Sequence, residues 1–330
     1  MDRVPFVFME RVVSLLPTDP TEIHHCFRPV GGLWKTAAKE LEVNYHFVKV
    51  SIKPQENSMS VSKVFPYRRR IKPFEEPNQY TLDLSIRISD RDDRERKAEP
   101  EPISEERLKQ VTRLPSRGSV RSEFYVSELP PREDEVFDFG GFFRNLQVPF
   151  ANVNMWGCLG YSQEIEGFVR NLIPKRTCGW FSFSNVDLTP TCVDLLMDTW
   201  DTCFPFDRRG KNGYPSFMLR LTDCSQTLSK AQISRILNGW CEGRGGNGLR
   251  ISSSEFPDLD AFLRTFVETV SRVPQWKVEF NTDYHCLIQS NIGISITVQY
   301  LPAEGGGSAK LSLTLIQDNA NFQKCEAKKQ

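Results

Sequence analysis

The chain has 330 residues, of which 39% are hydrophobic, and its 42 Lys+Arg and 42 Asp+Glu residues give a formal net charge of zero. A neutral chain lacks the long-range field that attracts nucleic acid or an anionic membrane surface, so neither is an expected partner. No uncharged apolar stretch of about 18 residues occurs, so no membrane-spanning helix is expected, and the N-terminus does not resemble a secretory signal. Nine cysteines without clusters favour free thiols in the cytoplasm or nucleus.

The first predicted element is helical and covers residues 1–43. Asp2 is suited to cap a helix, and Pro5 is suited to its first turn. The apolar residues of this stretch share one helical face: Phe8, Val12, Leu15 and Leu16. After a break at two prolines, a second short helix is expected from about Leu33 to Leu41.

A β-rich section is expected over residues 44–89. One strand includes Tyr45 and Phe47 and continues toward Ile52. The clearest strand is Tyr80–Ile88, in which apolar and polar residues alternate strictly. Such alternation is typical of a strand with one buried and one wet face, as in an antiparallel sheet.

Dense charge and few apolar residues characterise residues 90–123. This composition buries too little apolar surface to offset the entropy of ordering the chain, so we expect a disordered insertion or linker. Ser116, Ser119 and Ser122 lie among arginines and are conceivable phosphorylation sites, although a solvated tether is the simpler interpretation.

A βα-repeat platform is predicted over residues 124–318, with a helix from Ser162 to Ile173. Four short strands with alternating apolar residues begin near Trp180, Phe217, Leu249 and Trp276. An amphipathic helical stretch follows each of the first three strands. The predicted apolar stripes of the helices are, in chain order, Ile165, Phe168, Val169 and Leu172; Val193, Leu196 and Trp200; Ile233, Ile236, Leu237 and Trp240; and Leu259, Phe262, Leu263, Phe266, Val267 and Val270. Tandem strand–helix units build a parallel sheet with helices packed against it.

Two of these helices have clear start signals. Thr189 is the expected N-cap residue of one, with Pro190 in its first helical position. The sequence Ser229-Lys-Ala-Gln232 is a capping box for the next. A hairpin, residues 292–301 and 310–316, is expected to close the sheet edge.

The predicted fold class is therefore α/β. It comprises an N-terminal helical segment, a β-rich middle section, and a C-terminal leucine-rich-repeat-like βα layer closed by a β-hairpin, followed by a frayed tail over residues 319–330.

No sequence motif indicates a catalytic, cofactor-binding or metal-binding site. The glycines of Gly243–Gly248 have dinucleotide-fingerprint spacing but follow a predicted helix and precede a strand, the reverse of the order that phosphate binding needs. His285 and Cys286 are neighbours on a predicted strand, so their side chains point to opposite faces. His24–Cys26 lacks a second pair of metal ligands. The cysteines are expected to be core or near-core thiols, and the chain is not expected to be an enzyme.

One N-terminal pattern combines a Val-Pro pair with spaced apolar residues and a later tryptophan: Val4, Pro5, Phe8, Val12, Leu16 and Trp34. This pattern resembles the N-terminal segment of a nematode-expanded family of divergent F-box-like proteins. The resemblance implies that these residues bind a Skp1-like adaptor of an SCF-type ubiquitin ligase. The remaining chain would then present a docking surface to an unknown protein substrate, which raises the effective concentration of that substrate at the ligase.

Two alternatives remain open. In the first, the chain is a stand-alone interaction or structural protein whose N-terminal segment packs on its own β-rich section. In the second, it is an enzyme or a nucleic-acid binder, an interpretation based on the thiols and on the basic, aromatic-flanked run Arg68–Lys72. Acidic neighbours dilute the charge of that run, so nucleic-acid binding is not favoured.

Overall fold

The computed structural model describes residues 12, 32–65, 70–73, 81–90, 99–112, 122–134, 137–146, 148–175, 178–202, 218–226, 229, 231–232, 234–235, 238, 248–253, 276–282, 285–290, 294–301 and 310–317. These residues form a mixed α/β fold. The chain divides into two compact units. Unit 1 comprises Met1–Gly160, Asn171–Cys178 and Asn212–Tyr214, and unit 2 comprises Tyr161–Arg170, Gly179–Lys211 and Pro215–Gln330.

The elements of the first half are α1 (Gly32–Asn44), β1 (His46–Lys53), β2 (Ser58–Phe65), β3 (Arg70–Pro73), β4 (Thr81–Ile88), β5 (Glu101–Pro102), α2 (Glu105–Thr112), β6 (Glu123–Ser127), α3 (Phe139–Asn145) and β7 (Asn152–Trp156). The later elements are α4 (Ser162–Leu172), β8 (Trp180–Ser184), α5 (Pro190–Thr202), β9 (Met218–Thr222), β10 (Gly248–Ser253), β11 (Trp276–Thr282), β12 (His285–Ser290), β13 (Ile294–Leu301) and β14 (Lys310–Gln317). Short 3-10 turns cover Arg132–Asp134 and Ile173–Lys175.

The sheet of unit 1 has the strand order β7-β6-β4-β1-β2-β3, and β5 pairs with β2. Strands β1, β4, β6 and β7 are parallel, whereas β2 is antiparallel to β1 and to β3. One row of register partners crosses the four parallel strands: Val50, Ile86, Phe124 and Val153. All four are fully buried, so this row is the centre of the unit 1 core.

Strand β4 differs from its prediction in direction. The expected buried residues Leu84, Ile86 and Ile88 are indeed buried. The expectation of an antiparallel arrangement is wrong, because β4 runs parallel to both β1 and β6. Ser85, on the face that was expected to be wet, is also largely buried, at 9% exposure. Alternation reports which residues face a core, but it carries no information on the direction of the neighbouring strands.

The charged stretch also differs from its prediction. Residues 99–112, expected to be part of a disordered insertion, contain β5 and the helix α2. Leu108 is only 2% exposed and anchors this helix, while Glu105 and Lys109 form an ion pair on its outer side. The stretch is the crossover that joins the parallel strands β4 and β6, a connection that typically contains a helix.

Only one of the conceivable phosphorylation sites lies in the described part of the chain. Ser116 and Ser119 lie outside the described residues. The Ser122 side chain is fully buried, and its hydroxyl accepts a hydrogen bond from the Ala151 backbone N–H at 2.9 Å. Ser122 is therefore a structural hydroxyl and not a kinase target.

Helix α1 confirms the predicted helix over Leu33–Leu41, and Ala37 and Ala38 on it are fully buried. Strand β1 also forms, with alternating buried and half-buried residues. Its buried residues are His46, Val48, Val50 and Ile52. Phe47 is half-buried, because alternation places its side chain on the face of β1 opposite that of Val48.

In unit 2, strands β8, β9 and β10 are parallel neighbours. The far side of β10 pairs with β14, which runs antiparallel and continues into an antiparallel series β14-β13-β12-β11. The predicted terminal hairpin is therefore present as β13 and β14. The strand at Trp276, expected to be a further member of the parallel layer, is instead the outermost antiparallel strand β11.

The helices α4 and α5 bury the residues that the sequence predicts. The predicted apolar stripe of α4 is fully or almost fully buried: Ile165, Phe168, Val169 and Leu172. The same holds for the stripe of α5: Val193, Leu196 and Trp200. The helix predicted near residues 259–270 and the tail over residues 319–330 lie outside the described residues.

A recurring turn follows four of the parallel strands. The first residue after β6, β7, β8 and β9 has a positive φ angle in each case: Glu128 (54°), Gly157 (64°), Asn185 (51°) and Asp223 (48°). The next residue points inward and is buried or half-buried: Leu129, Cys158, Val186 and Cys224. The repeated backbone geometry shows that the βα units share one local design, in which a left-handed residue turns the chain out of the sheet.

Candidate interaction face on the sheet of unit 2

Strands β8, β9 and β10 have two chemically different faces, because successive side chains of a strand point in opposite directions. One face carries six buried apolar residues: Phe181, Phe183, Leu219, Leu221, Leu249 and Ile251. The opposite face carries exposed or half-buried residues: Trp180, Ser182, Ser184, Met218, Arg220, Thr222 and Arg250. We call this second set the open face.

Strand register places the open-face residues in rows. Arg220 is the register partner of Ser182 on one side and of Arg250 on the other. Because neighbouring strands lie about 4.8 Å apart, the two arginines start from adjacent backbone positions. Trp180 and Met218 form the next row and are also register partners. The open face thus combines a basic row with an apolar row.

The two arginines carry charges that the described residues do not neutralise. The Arg220 Nε atom lies 3.4 Å from the Thr222 hydroxyl, a long contact with a neutral group. Arg250 is exposed. Within the part of the chain that the structure describes, neither guanidinium has a carboxylate within ion-pair distance.

Unit 1 provides a contrast on its own half-exposed sheet face. There the Arg87 guanidinium lies 4.5 Å above the centre of the Tyr125 ring, a cation–π contact. Asn154 donates a hydrogen bond to the Glu123 carboxylate across the same face, at 3.4 Å. The arginine of unit 1 therefore stacks on an aromatic ring of its own sheet, whereas the described contact of Arg220 is with a neutral hydroxyl.

A second polar group of unit 2 joins α5 to the helical residues after Ser229. Arg235 donates to Asp198 at 2.7 Å and to Asp201 at 2.9 and 3.0 Å, and these carboxylates raise its pKa. A shallow surface depression is lined by Met197, Asp201, Gln232 and Arg235. Because its cation is already paired with two carboxylates, this group links two helices and is not a candidate ligand site.

The capping box predicted for the same helix is confirmed. The Ser229 N–H donates to the Gln232 side chain at 2.7 Å, and the Gln232 N–H donates to the Ser229 hydroxyl at 3.2 Å. The apolar residues predicted for the buried side of this helix lie outside the described residues: Ile233, Ile236, Leu237 and Trp240.

Three described thiols, those of Cys158, Cys192 and Cys224, do not have the properties of nucleophiles. Burial raises the pKa of Cys158 and of Cys192 to about 12, and that of Cys224 to about 11. Reactive cysteines need a lowered pKa, because the thiolate is the attacking species. The prediction of core thiols is confirmed for Cys158 and Cys192, which are fully buried, while Cys178 and Cys224 are half-buried.

Thr189 connects the start of α5 to α4. Its hydroxyl oxygen accepts a hydrogen bond from the Cys192 N–H at 3.0 Å, which confirms the predicted N-cap. The same hydroxyl donates to the Glu166 carboxylate, whose other oxygen contacts Arg170 at 2.8 Å. Both contacts lower the pKa of Glu166, and the hydrogen bond from Thr189 has the larger effect. The cluster is structural: the Thr189–Glu166 hydrogen bond connects the start of α5 to α4, and the Arg170–Glu166 ion pair lies within α4.

The substitution Thr189→Val is expected to lower the free energy of unfolding by about 1–2 kcal/mol, because it removes the N-cap acceptor and keeps the side-chain volume. Thr189→Ser, which retains the hydroxyl, is expected to cost less. The stability difference between the unsubstituted chain and Thr189→Val should be complete above pH 4.5, the ordinary pKa of Glu166. It should shrink as the pH falls through the lowered pKa of Glu166, because a protonated carboxyl no longer attracts the hydroxyl. Urea unfolding at several pH values measures this, and equal stabilities of the Val and Ser variants would contradict the assignment.

Most residues of the predicted adaptor site lie outside the described residues: Val4, Pro5, Phe8 and Leu16. Val12 is helical and half-buried. Trp34 is half-buried in the first turn of α1, beside Leu33, which is 43% exposed. The grouping of these six residues into an adaptor site stays a prediction.

The other sequence candidates are placed as follows. His24–Cys26, Arg68, Arg69 and the glycines before Gly248 lie outside the described residues, and His285 and Cys286 lie on β12. His46 is buried, with Nδ1 3.3 Å from the Asn44 carbonyl oxygen, and burial lowers its pKa. The described ranges contain no group of three or more potential metal ligands. No helix in those ranges is both long and apolar enough to cross a membrane.

Sequence reasoning did not select Arg220 and Arg250 as site residues. Each is visible as the polar residue between two apolar ones, in Leu219-Arg220-Leu221 and in Leu249-Arg250-Ile251. That pattern predicts that both side chains leave the core, but their adjacency depends on the alignment of β9 with β10. No family model, curated protein or solved structure matches the chain.

Proposed function

We propose that the chain is a non-catalytic protein-interaction module and that the open face of unit 2 is its docking surface. The observation that supports this proposal is the combination of an unneutralised basic row, Arg220 and Arg250, with the adjacent apolar row of Trp180 and Met218. Arginine, aromatic and methionine side chains are enriched at protein interfaces relative to the rest of the protein surface. In this proposal the repeated βα units are a leucine-rich-repeat-like platform that holds these side chains rigidly.

We further propose that the N-terminal segment binds a Skp1-like adaptor, so that the module selects an unknown protein substrate for an SCF-type ubiquitin ligase in the cytoplasm or nucleus. The support is the N-terminal resemblance carried by Val4, Pro5, Phe8, Val12, Leu16 and Trp34. A short amphipathic helix of this kind gains most of its stability from a partner surface.

Co-purification of the full chain with a purified Skp1-like adaptor tests the adaptor role. We expect a complex at micromolar concentration that is lost in Leu16→Asp, because the substitution places a charge in an apolar interface. Leu159→Asp is the control, since Leu159 is 53% exposed in unit 1 and lies outside the proposed site. Absence of a complex with the unsubstituted chain would rule out the adaptor role.

One observation favours the alternative of a stand-alone interaction protein. Ala37 and Ala38 of α1 are fully buried and Trp34 is half-buried, so part of the N-terminal segment is packed in unit 1. If the residues before α1 pack there as well, limited proteolysis should leave the Pro17–Pro20 stretch uncut. Rapid cleavage at that stretch, with protection when the Skp1-like adaptor is added, would favour the adaptor role instead.

A further inference from the structure

We propose that the Arg220–Arg250 pair recognises an acidic, extended segment of a partner protein, which is an inference that rests on the open face being a docking surface. The register of β9 and β10 places these two residues side by side on that face. Ser182, the other register partner of Arg220, extends the same row with a hydroxyl. The row therefore offers two guanidinium groups and one neutral hydrogen-bonding group in a line across three strands.

The energetics of the free protein favour this assignment. Two like charges on directly adjacent strands repel each other and reduce the stability of the sheet. No described carboxylate compensates this repulsion, in contrast to Arg235, which has two. An acidic ligand would supply the missing negative charge, and arginine pairs with carboxylates through two parallel hydrogen bonds.

The neighbouring row adds a requirement for an apolar residue in the ligand. Trp180 is 37% exposed, and its register partner Met218 is half-buried. In an extended segment, side chains two residues apart are about 6.7 Å apart and point the same way. Two carboxylates at this spacing can reach the two arginines, while a bulky apolar side chain of the same segment contacts Trp180.

A protein ligand fits these observations better than a nucleic acid. Single-stranded nucleic acid is bound by a basic groove that follows many phosphates and by several stacked aromatic side chains. The described part of the open face offers two arginines and one tryptophan, and the whole chain has zero net charge. A few charged contacts next to an apolar contact are typical of a protein interface.

The test is fluorescence anisotropy, with the full chain titrated into a labelled peptide in which serines separate two glutamates and one leucine, so that these three side chains point the same way. Its reference is the same peptide with glutamine in place of glutamate. We expect binding of the glutamate peptide that weakens with added salt, and a dissociation constant about tenfold higher in the double variant Arg220→Gln, Arg250→Gln. The control is Lys35→Gln, Lys39→Gln, which removes the same charge from exposed positions of α1 and should leave the affinity unchanged.

A second measurement ensures that the arginine variant is folded. Because the substitution relieves repulsion, its thermal unfolding midpoint should be no lower than that of the unsubstituted chain. Three results would each overturn the inference. The first is equal affinity for the glutamate and glutamine peptides, and the second is equal affinity of the two double variants for the glutamate peptide. The third is tighter binding of a labelled single-stranded RNA than of the glutamate peptide. The adaptor co-purification is independent of these arginines, so a complex with the Skp1-like adaptor together with no acidic-peptide binding would reject this inference and leave the adaptor proposal intact.

Discussion

The substitution Phe124→Ala is expected to lower the free energy of unfolding of unit 1 by about 3–5 kcal/mol. Phe124 is fully buried and lies in the central row of the sheet, between Ile86 and Val153. Its ring packs edge-on against Phe143 at 5.8 Å and at an angle to Phe150 at 5.3 Å, as measured between ring centres. Removal of the ring leaves a cavity between a strand and a helix that neither can fill without moving.

Urea unfolding followed by circular dichroism measures the effect, and native-state hydrogen exchange assigns it to unit 1. Phe137→Ala is the control, because Phe137 also belongs to an aromatic group, in contact with Phe139, but is half-exposed. Phe137→Ala should lower the free energy of unfolding by clearly less than Phe124→Ala does. A cost for Phe124→Ala below about 1 kcal/mol would show that this ring is not a core residue.

The substitution Leu108→Ala is expected to lower the free energy of unfolding by about 2–3 kcal/mol. This loss is near the lower end of the range for truncation of a buried leucine, because α2 is short. Leu108 is 2% exposed, whereas the neighbouring Lys109 is exposed. Loss of this anchor should release the helix, and protease cleavage within residues 99–112 should become faster. The effect tests the central correction to the sequence prediction, since a disordered linker has no anchor to lose.

Lys109→Ala is the control for this experiment. It removes an exposed ion pair with Glu105, which contributes little to stability, so both unfolding and cleavage should stay close to those of the unsubstituted chain. If residues 99–112 of the unsubstituted chain are already cleaved as fast as an unfolded peptide, the crossover helix is not formed in solution.

The features that sequence predicted best are local. The N-cap at Thr189 and the capping box of Ser229 and Gln232 form as predicted, because each needs only residues three positions apart in the chain. The buried stripes of α4 and α5 are equally local, since helical periodicity alone decides which residues share a face.

The errors concern relationships between distant segments. The alternation in β4 indicated a strand and its core face, but not its parallel neighbours β1 and β6. The composition of residues 99–112 indicated disorder, because one buried leucine is too weak a signal against many charges. The strand at Trp276 followed the pattern of the parallel units, yet β14 occupies the position beside β10.

The chain's amino-acid order alone thus indicated an α/β protein, the helix starts at Thr189 and Ser229, the buried stripes of α4 and α5, and the buried residues of β4. These properties follow from interactions within a few residues, whose energies do not depend on the rest of the molecule. Which strands are neighbours, and therefore that Arg220 and Arg250 lie side by side, was decided by packing between segments far apart in sequence. A sheet face acquires its chemistry from this register, and a shift of one residue between β9 and β10 would place the two arginines on opposite sides.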